Sequence, residues 1–374
     1  MRILGKECKK ILDIRLLFVL LLFTFLYYQL FPQIMIYPAG GQCTSSPYDM
    51  PFTAELIKEF GTTISDLSVM EDKKEELKKA WGKSVVGNTV MEDAGITSYD
   101  DLIEKQGQYF DKNESERTVE EEEIYQEILR ITFEEGESSK LFFEIQYIDT
   151  LIDYAKRSKS ILSDGSISLL PDGAKFILAE DMKYMAVLLV ICFFVLIIPY
   201  LIRERLKKVL PLYATTKTGK NVYKKQFVAC VCTCGVVGLV QLLVYLFVFI
   251  KKDLSVFWSC TIVSGEWNGI EFDITYGMFM LFNMVSVWLF ALGSIILAYW
   301  IGRCAGNYVS GIAMALPIGG MTCYIAKKIF NALLFGLGEN RVRWGEVAGL
   351  FLWVVLMAMI SWIKIKRELK KENG

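Results

Sequence analysis

The sequence predicts an α-helical integral membrane protein with six transmembrane helices and a mainly helical extracellular domain between the first two. Three observations carry this. Apolar runs at 16–36, 183–202, 226–250, 277–301, 306–326 and 347–363 are each long enough to cross a hydrocarbon core of about 30 Å as a helix. In that medium a helix satisfies its own backbone groups within one segment. Lysine and arginine cluster in three segments that six spans place on one side. The net charge of −1 also hides a segregation: residues 37–182 hold 31 acids and 15 bases, the rest 11 acids and 26 bases.

Residues 1–15 form a basic N-terminal segment with Arg2, Lys6, Lys9, Lys10 and Arg15. The following run continues past Phe31 and offers no clear small-residue cleavage site, so it reads as a retained anchor rather than a signal peptide. Segment 203–225 carries Arg203, Arg205, Lys207, Lys208, Lys217, Lys220, Lys224 and Lys225, and tail 364–374 carries Lys364, Lys366, Arg367, Lys370 and Lys371. The positive-inside rule makes this side the cytoplasm, so the chain is expected in a cell membrane with both termini inside. Lys251, Lys252, Lys327, Lys328, Arg341 and Arg343 run against the rule but are fewer.

Residues 37–182 are long enough for a domain with its own core. PFTAELIKEFG is expected to start at an N-cap Thr53 and stop at Gly61, and MEDKKEELKKAWG to stop at Gly82. From Thr118 to about Ile161, apolar residues such as Ile128, Ile131, Ile145 and Ile148 recur at helical spacing, with a break near Gly136. Glu120–Glu123 read as a solvated first turn, with a cation site as the other reading. Segment 251–276 is an aromatic-rich extracellular loop. Segment 327–346 is extracellular, interfacial or re-entrant.

Of the nine cysteines, only Cys43 and Cys260 are expected outside, where a disulfide between them is open. Cys230-x-Cys232-x-Cys234 has neither zinc-ligand nor redox spacing. There is no histidine, which excludes Ser-His-Asp, Cys-His and H-E-x-x-H chemistry. No metal or cofactor site is expected. Thr218-Gly219-Lys220 fails as a phosphate loop, because Ala214 replaces the first Gly and Asn221 the Ser or Thr. Span interiors carry almost no charge, which disfavours an ion-coupled carrier. Gln241 and Asn283 read as hydrogen-bonding links between helices. Pro199 is expected to kink the second span. Pro317, Gly319 and Gly320 are expected to break the fifth, as a packing kink or a gate.

The order of parts carries a resemblance. A basic start, a span, a large domain and a second span lead to IPYLIRERLKKVLPLYATTKTGKNVYKKQFVAC. This resembles the permease subunit of Gram-positive ABC-2-type ABC transporters. The likeness rests on Glu204, the Leu206–Tyr213 stretch, Thr215-Thr216-Lys217, Gly219-Lys220 and Lys224-Lys225, with Gly-Lys where the family more often has Gly-Arg. PFTAELIKEFGTTIS resembles the start of the family's outer domain. The resemblance implies that a separate cytosolic ATPase dimer binds ATP and drives the spans, so this chain would be no enzyme and hold no cofactor. Coupling would fall to Glu204, Leu206, Val209, Leu210, Leu212, Tyr213, Gly219 and Lys220.

An amphipathic coupling helix suits that role: Leu206, Val209, Leu210 and Leu212 fit an apolar groove, with Arg205, Lys207 and Lys208 at its rim. Partners are then ABC ATPase subunits, a second permease copy or sister permease, and the bilayer, with no nucleic acid. The substrate expectation is a peptide, an antimicrobial or a lipid-like molecule, the acidic domain favouring a cationic one. A different class stays open, a receptor or scaffold whose acidic domain senses without transport. So does an extracytoplasmic lever of the four-span type, which a count below six spans would favour.

Overall fold

The computed structural model describes residues 2–30, 49–110, 117–134, 136–156, 166–207, 220–262 and 274–335, with 349, 352, 353, 356, 357 and 359. The chain divides into two compact units, residues 1–38, 175–258 and 277–374 in one and 39–174 and 259–276 in the other. The expected extracellular loop 251–276 therefore shares most of its length with the unit that holds the segment between the first two spans.

The first unit starts with α1 (Arg2–Ile11) and α2 (Ile14–Leu30). They are bent by 57° at a short break. Asp13 sets that break. One carboxylate oxygen accepts from the Arg15 amide at 3.0 Å, so Asp13 starts a new helix instead of continuing the old one. Three long helices follow, α9 (Asp172–Leu206), α10 (Lys220–Lys251) and α11 (Tyr276–Cys304), and then α12 (Tyr308–Phe335). The helices between residues 49 and 156 belong to the second unit.

Among the described residues, α9 to α12 are long and apolar enough to cross a membrane, and α1 with α2 makes a fifth candidate as one bent span. The protein is an α-helical membrane-embedded chain. The expected sixth span, 347–363, lies mostly outside the described residues. Its described pieces are helical, and Trp353 stacks on Phe290 of α11 at 5.0 Å.

One expectation about prolines needs correction. Pro317, Gly319 and Gly320 do not break the fifth span, because α12 runs through them without interruption. Pro317 forfeits one backbone bond, and the flanking turns hold the helix. Pro199 lies inside α9, which continues past it to Leu206. Helix approach is close where glycine allows it: a Cβ on Gly302 would sit 2.9 Å from the Leu201 side chain, so α11 rests directly against α9.

The second unit is built on α3 (Asp49–Phe60), α4 (Leu67–Ser84), α5 (Thr89–Asp93), α6 (Tyr99–Phe110), α7 (Val119–Phe133) and α8 (Glu137–Lys156). Trp81, Tyr99 and Phe142 form the aromatic centre, with ring separations of 6.0 and 5.7 Å. Two short antiparallel strands, β1 (Thr63–Ile64) and β2 (Ile167–Ser168), pair Thr63 with Ser168 and Ile64 with Ile167. Segment 259–276 joins them through the Ser168 hydroxyl, which donates to the Thr261 carbonyl at 2.7 Å.

The break near Gly136 is present, and Thr118 starts α7 with a reciprocal capping box to Glu121. Thr53 does not cap α3: it lies inside that helix, fully buried. Gly61 ends α3 as expected, with φ +89° and its amide on the Ile57 carbonyl. Gly82 does not end α4, which starts at the Asp66 cap and continues to Ser84. Gly82 instead leaves room for the Thr97 carbonyl, 3.4 Å from where a Cβ would stand.

Candidate functional site at the basic end of three membrane helices

The C-terminal end of α9, the N-terminal end of α10 and the C-terminal end of α11 carry Arg203, Arg205, Lys207, Lys224, Lys225 and Arg303. Here lies Glu204, the acid that the family resemblance singled out. It is 3% exposed and accepts from Lys10 Nζ through Oε2 at 3.2 Å. Lys10 also holds Glu7 at 2.8 Å, and Glu7 Oε2 accepts from the Tyr200 hydroxyl at 2.5 Å. Glu7 is 4% exposed. Two carboxylates thus share one ammonium and one phenol, which is what keeps them buried.

The positions follow from helical spacing. Glu7, Lys10 and Ile11 fall on one face of α1 at i, i+3 and i+4. That face packs along α10, with Ile11 fully buried. Tyr200 and Glu204 are i and i+4 on α9. A second tie runs from Arg203 of α9 to Asp13 Oδ2 and to the Lys10 carbonyl, both at 2.5 Å. Arg205 completes the cluster. Its Nη1 donates to the carbonyls of Arg303, Cys304 and Ala305 at 3.0–3.2 Å, capping the end of α11 with positive charge.

A cavity of about 180 Å³ sits among these groups, lined by Leu201, Glu204, Arg205, Gln226, Gly302 and Arg303. Gln226 of α10 is 1% exposed, and among the described residues neither its Oε1 nor its Nε2 has a hydrogen-bond partner. Leaving such atoms unmet costs about 1–3 kcal/mol apiece.

Among the other expected coupling residues, Leu206 ends α9 and is half exposed, and Lys220 begins α10. Val209, Leu210, Leu212, Tyr213 and Gly219 lie outside the described residues. The expected gating residues are elsewhere in the first unit: Pro317 and Gly320 are exposed on α12, while Gly319 faces the Phe194 ring.

Sequence reasoning missed Glu7, Tyr200 and Gln226. Glu7 and Lys10 could have been found as a polar pair on the apolar stripe of α1. Asp181, two residues before the expected second span, was missed too. It lies on α9 with no exposure and accepts from the Tyr245 hydroxyl at 3.0 Å. Gln241 does link helices, donating to Thr24 of α2 at 2.6 Å. Among the described residues Asn283 does not, since it bonds to the Phe279 carbonyl of its own helix. The Glu120–Glu123 cation reading finds no support: Glu121 serves the cap, and Glu122 pairs with Arg117 at 3.1 Å. No cluster of metal-ligating groups occurs among the described residues. Cys260 is a free buried thiol, pushed by burial up to about 12; Cys43 lies outside the described residues.

Comparison with protein-family models, with curated proteins and with solved structures finds no match to this chain.

Proposed function

We propose that this chain is the permease subunit of an ABC-type exporter, moved by a separate cytosolic ATPase that engages the loop between α9 and α10. The observation that carries this reading is the burial of Glu204. It sits where α9 gives way to that loop, and Lys10 ties it to α1. Gln226, where α10 resumes, lines the same cavity. Force applied to the loop would reach three membrane helices through paired charges and close packing, not through a slack tether. Both termini are then cytoplasmic, and the acidic segment faces the outside. A cationic substrate such as an antimicrobial peptide suits its field.

The test uses the full-length chain, affinity-tagged in membranes of its own host. A co-purifying ATPase with a Walker A motif is expected. Leu210→Asp places a charge on the apolar face of the expected coupling helix, and should abolish that co-purification while membrane insertion persists. Retention of the ATPase at the level of the unsubstituted chain would overturn the reading and leave the receptor or scaffold class.

A further inference from the structure

We propose that the cavity between α9, α10 and α11 binds the headgroup of a primary-amine phospholipid, a phosphate joined to a short ammonium-bearing arm. This does not rest on the exporter reading. It rests on the chain being membrane-embedded and on the chemistry of the cavity walls.

Position comes first. The membrane-crossing stretches of α9 and α11 end at Leu206 and Cys304, and that of α10 begins at Lys224. The cavity lies where these three ends meet, so it falls at one face of the bilayer, at the level of the headgroups. Its volume of about 180 Å³ is far above the roughly 15 Å³ that a single water requires. Leu201, Glu204, Gln226 and Gly302 of its wall are buried, whereas Arg205 is exposed and Arg303 half-buried. The cavity therefore has a closed floor and a cationic rim.

Chemistry then selects the occupant. The rim guanidinium groups attract a phosphate. The floor presents acceptors. Glu204 gives Oε2 to Lys10, and a carboxylate has lone pairs for further donors. Gln226 adds an acceptor, Oε1, that is unmet among the described residues, and a donor, Nε2, to meet an oxygen of the ligand. A ligand whose deepest group donates several hydrogen bonds and is positive, with an anion behind it, meets each of these. An ethanolamine headgroup has that order. A choline headgroup has the charge but no N–H. A glycerol headgroup donates but lacks the charge that Glu204 favours.

The test is lipid retention by the purified full-length chain, read by native mass spectrometry after exchange into equal mixtures of ethanolamine-, glycerol- and choline-headed lipids of identical acyl chains. Ethanolamine lipid should be retained in excess. Gln226→Met, which keeps the volume and removes the amide, and Glu204→Gln should each cut that preference by about tenfold, as expected for one lost hydrogen bond to a charged group. Thermal melting identifies variants that remain folded. Equal retention of the three lipids by the unsubstituted chain would overturn the proposal. So would folded Gln226→Met and Glu204→Gln variants that keep the preference. Soluble glycerophosphoethanolamine displacing the lipid completely at micromolar concentration would make the ligand a free metabolite, and would also overturn it.

Discussion

Lys10→Met tests whether one ammonium holds the end of the membrane helices together. Its Nζ lies 2.8 Å from Glu7 and 3.2 Å from Glu204. At an effective dielectric near 20, each contact is worth about 5 kcal/mol of Coulomb attraction before desolvation. The carboxylates are buried, but the Lys10 side chain is 36% exposed, so solvent cancels much of that. A net loss of about 2 kcal/mol is expected, below the 3–5 typical of a fully buried pair that loses one partner. The loss arises because two carboxylates are left without their cation. Neutralising one should therefore relieve it: Lys10→Met with Glu204→Gln should be about 1 kcal/mol more stable than the sum of the single effects predicts. The assay is thermal unfolding of the purified chain and its three variants in one detergent. Additivity within about 0.5 kcal/mol would refute the shared-cation argument and reduce Lys10 to an orientation charge.

Two other substitutions probe packing and titration. Gly277→Ala would drive a methyl group into the Trp258 indole ring, and should destabilise the first unit by about 1–3 kcal/mol, read as a lower melting temperature. Melting unchanged from the unsubstituted chain would show that the ring swings aside freely. Glu144 of α8 is 4% exposed, and burial holds its carboxyl above the usual carboxylate range, with Lys140 at 3.5 Å offsetting only part of this. A raised folded pKa means that the neutral form suits the fold and that ionisation weakens it. Stability from this group is therefore present at low pH and lost as pH rises through the folded value. Glu144→Gln should raise the melting temperature at pH 8 and leave it unchanged near pH 3. A gain of equal size at both values would assign the effect to packing instead.

The sequence by itself determined the chemistry of the medium. Runs of apolar residues wide enough for a bilayer, the lysines and arginines at their ends, and the acids gathered in 37–182 are one-dimensional facts. Their physical cause, the cost of bare backbone and charge in hydrocarbon, acts on each segment alone. The same holds for Gly61 and for the Thr118–Glu121 box, where a cap is made within a few residues. Local reading failed where neighbours decide. Thr53 and Gly82 look like helix ends but are absorbed into helices by burial and by the Thr97 carbonyl. Pro317 looks like a break, yet one missing bond does not stop a long helix.

Glu204 was legible only as a motif residue. Its partner Lys10 is 194 positions away, and no spacing rule links them. Nor does any sequence pattern mark Gln226 as a buried amide with both ends unmet among the described residues. Those facts arise when α1, α9, α10 and α11 converge, because burial turns ordinary polar side chains into groups that must find a partner.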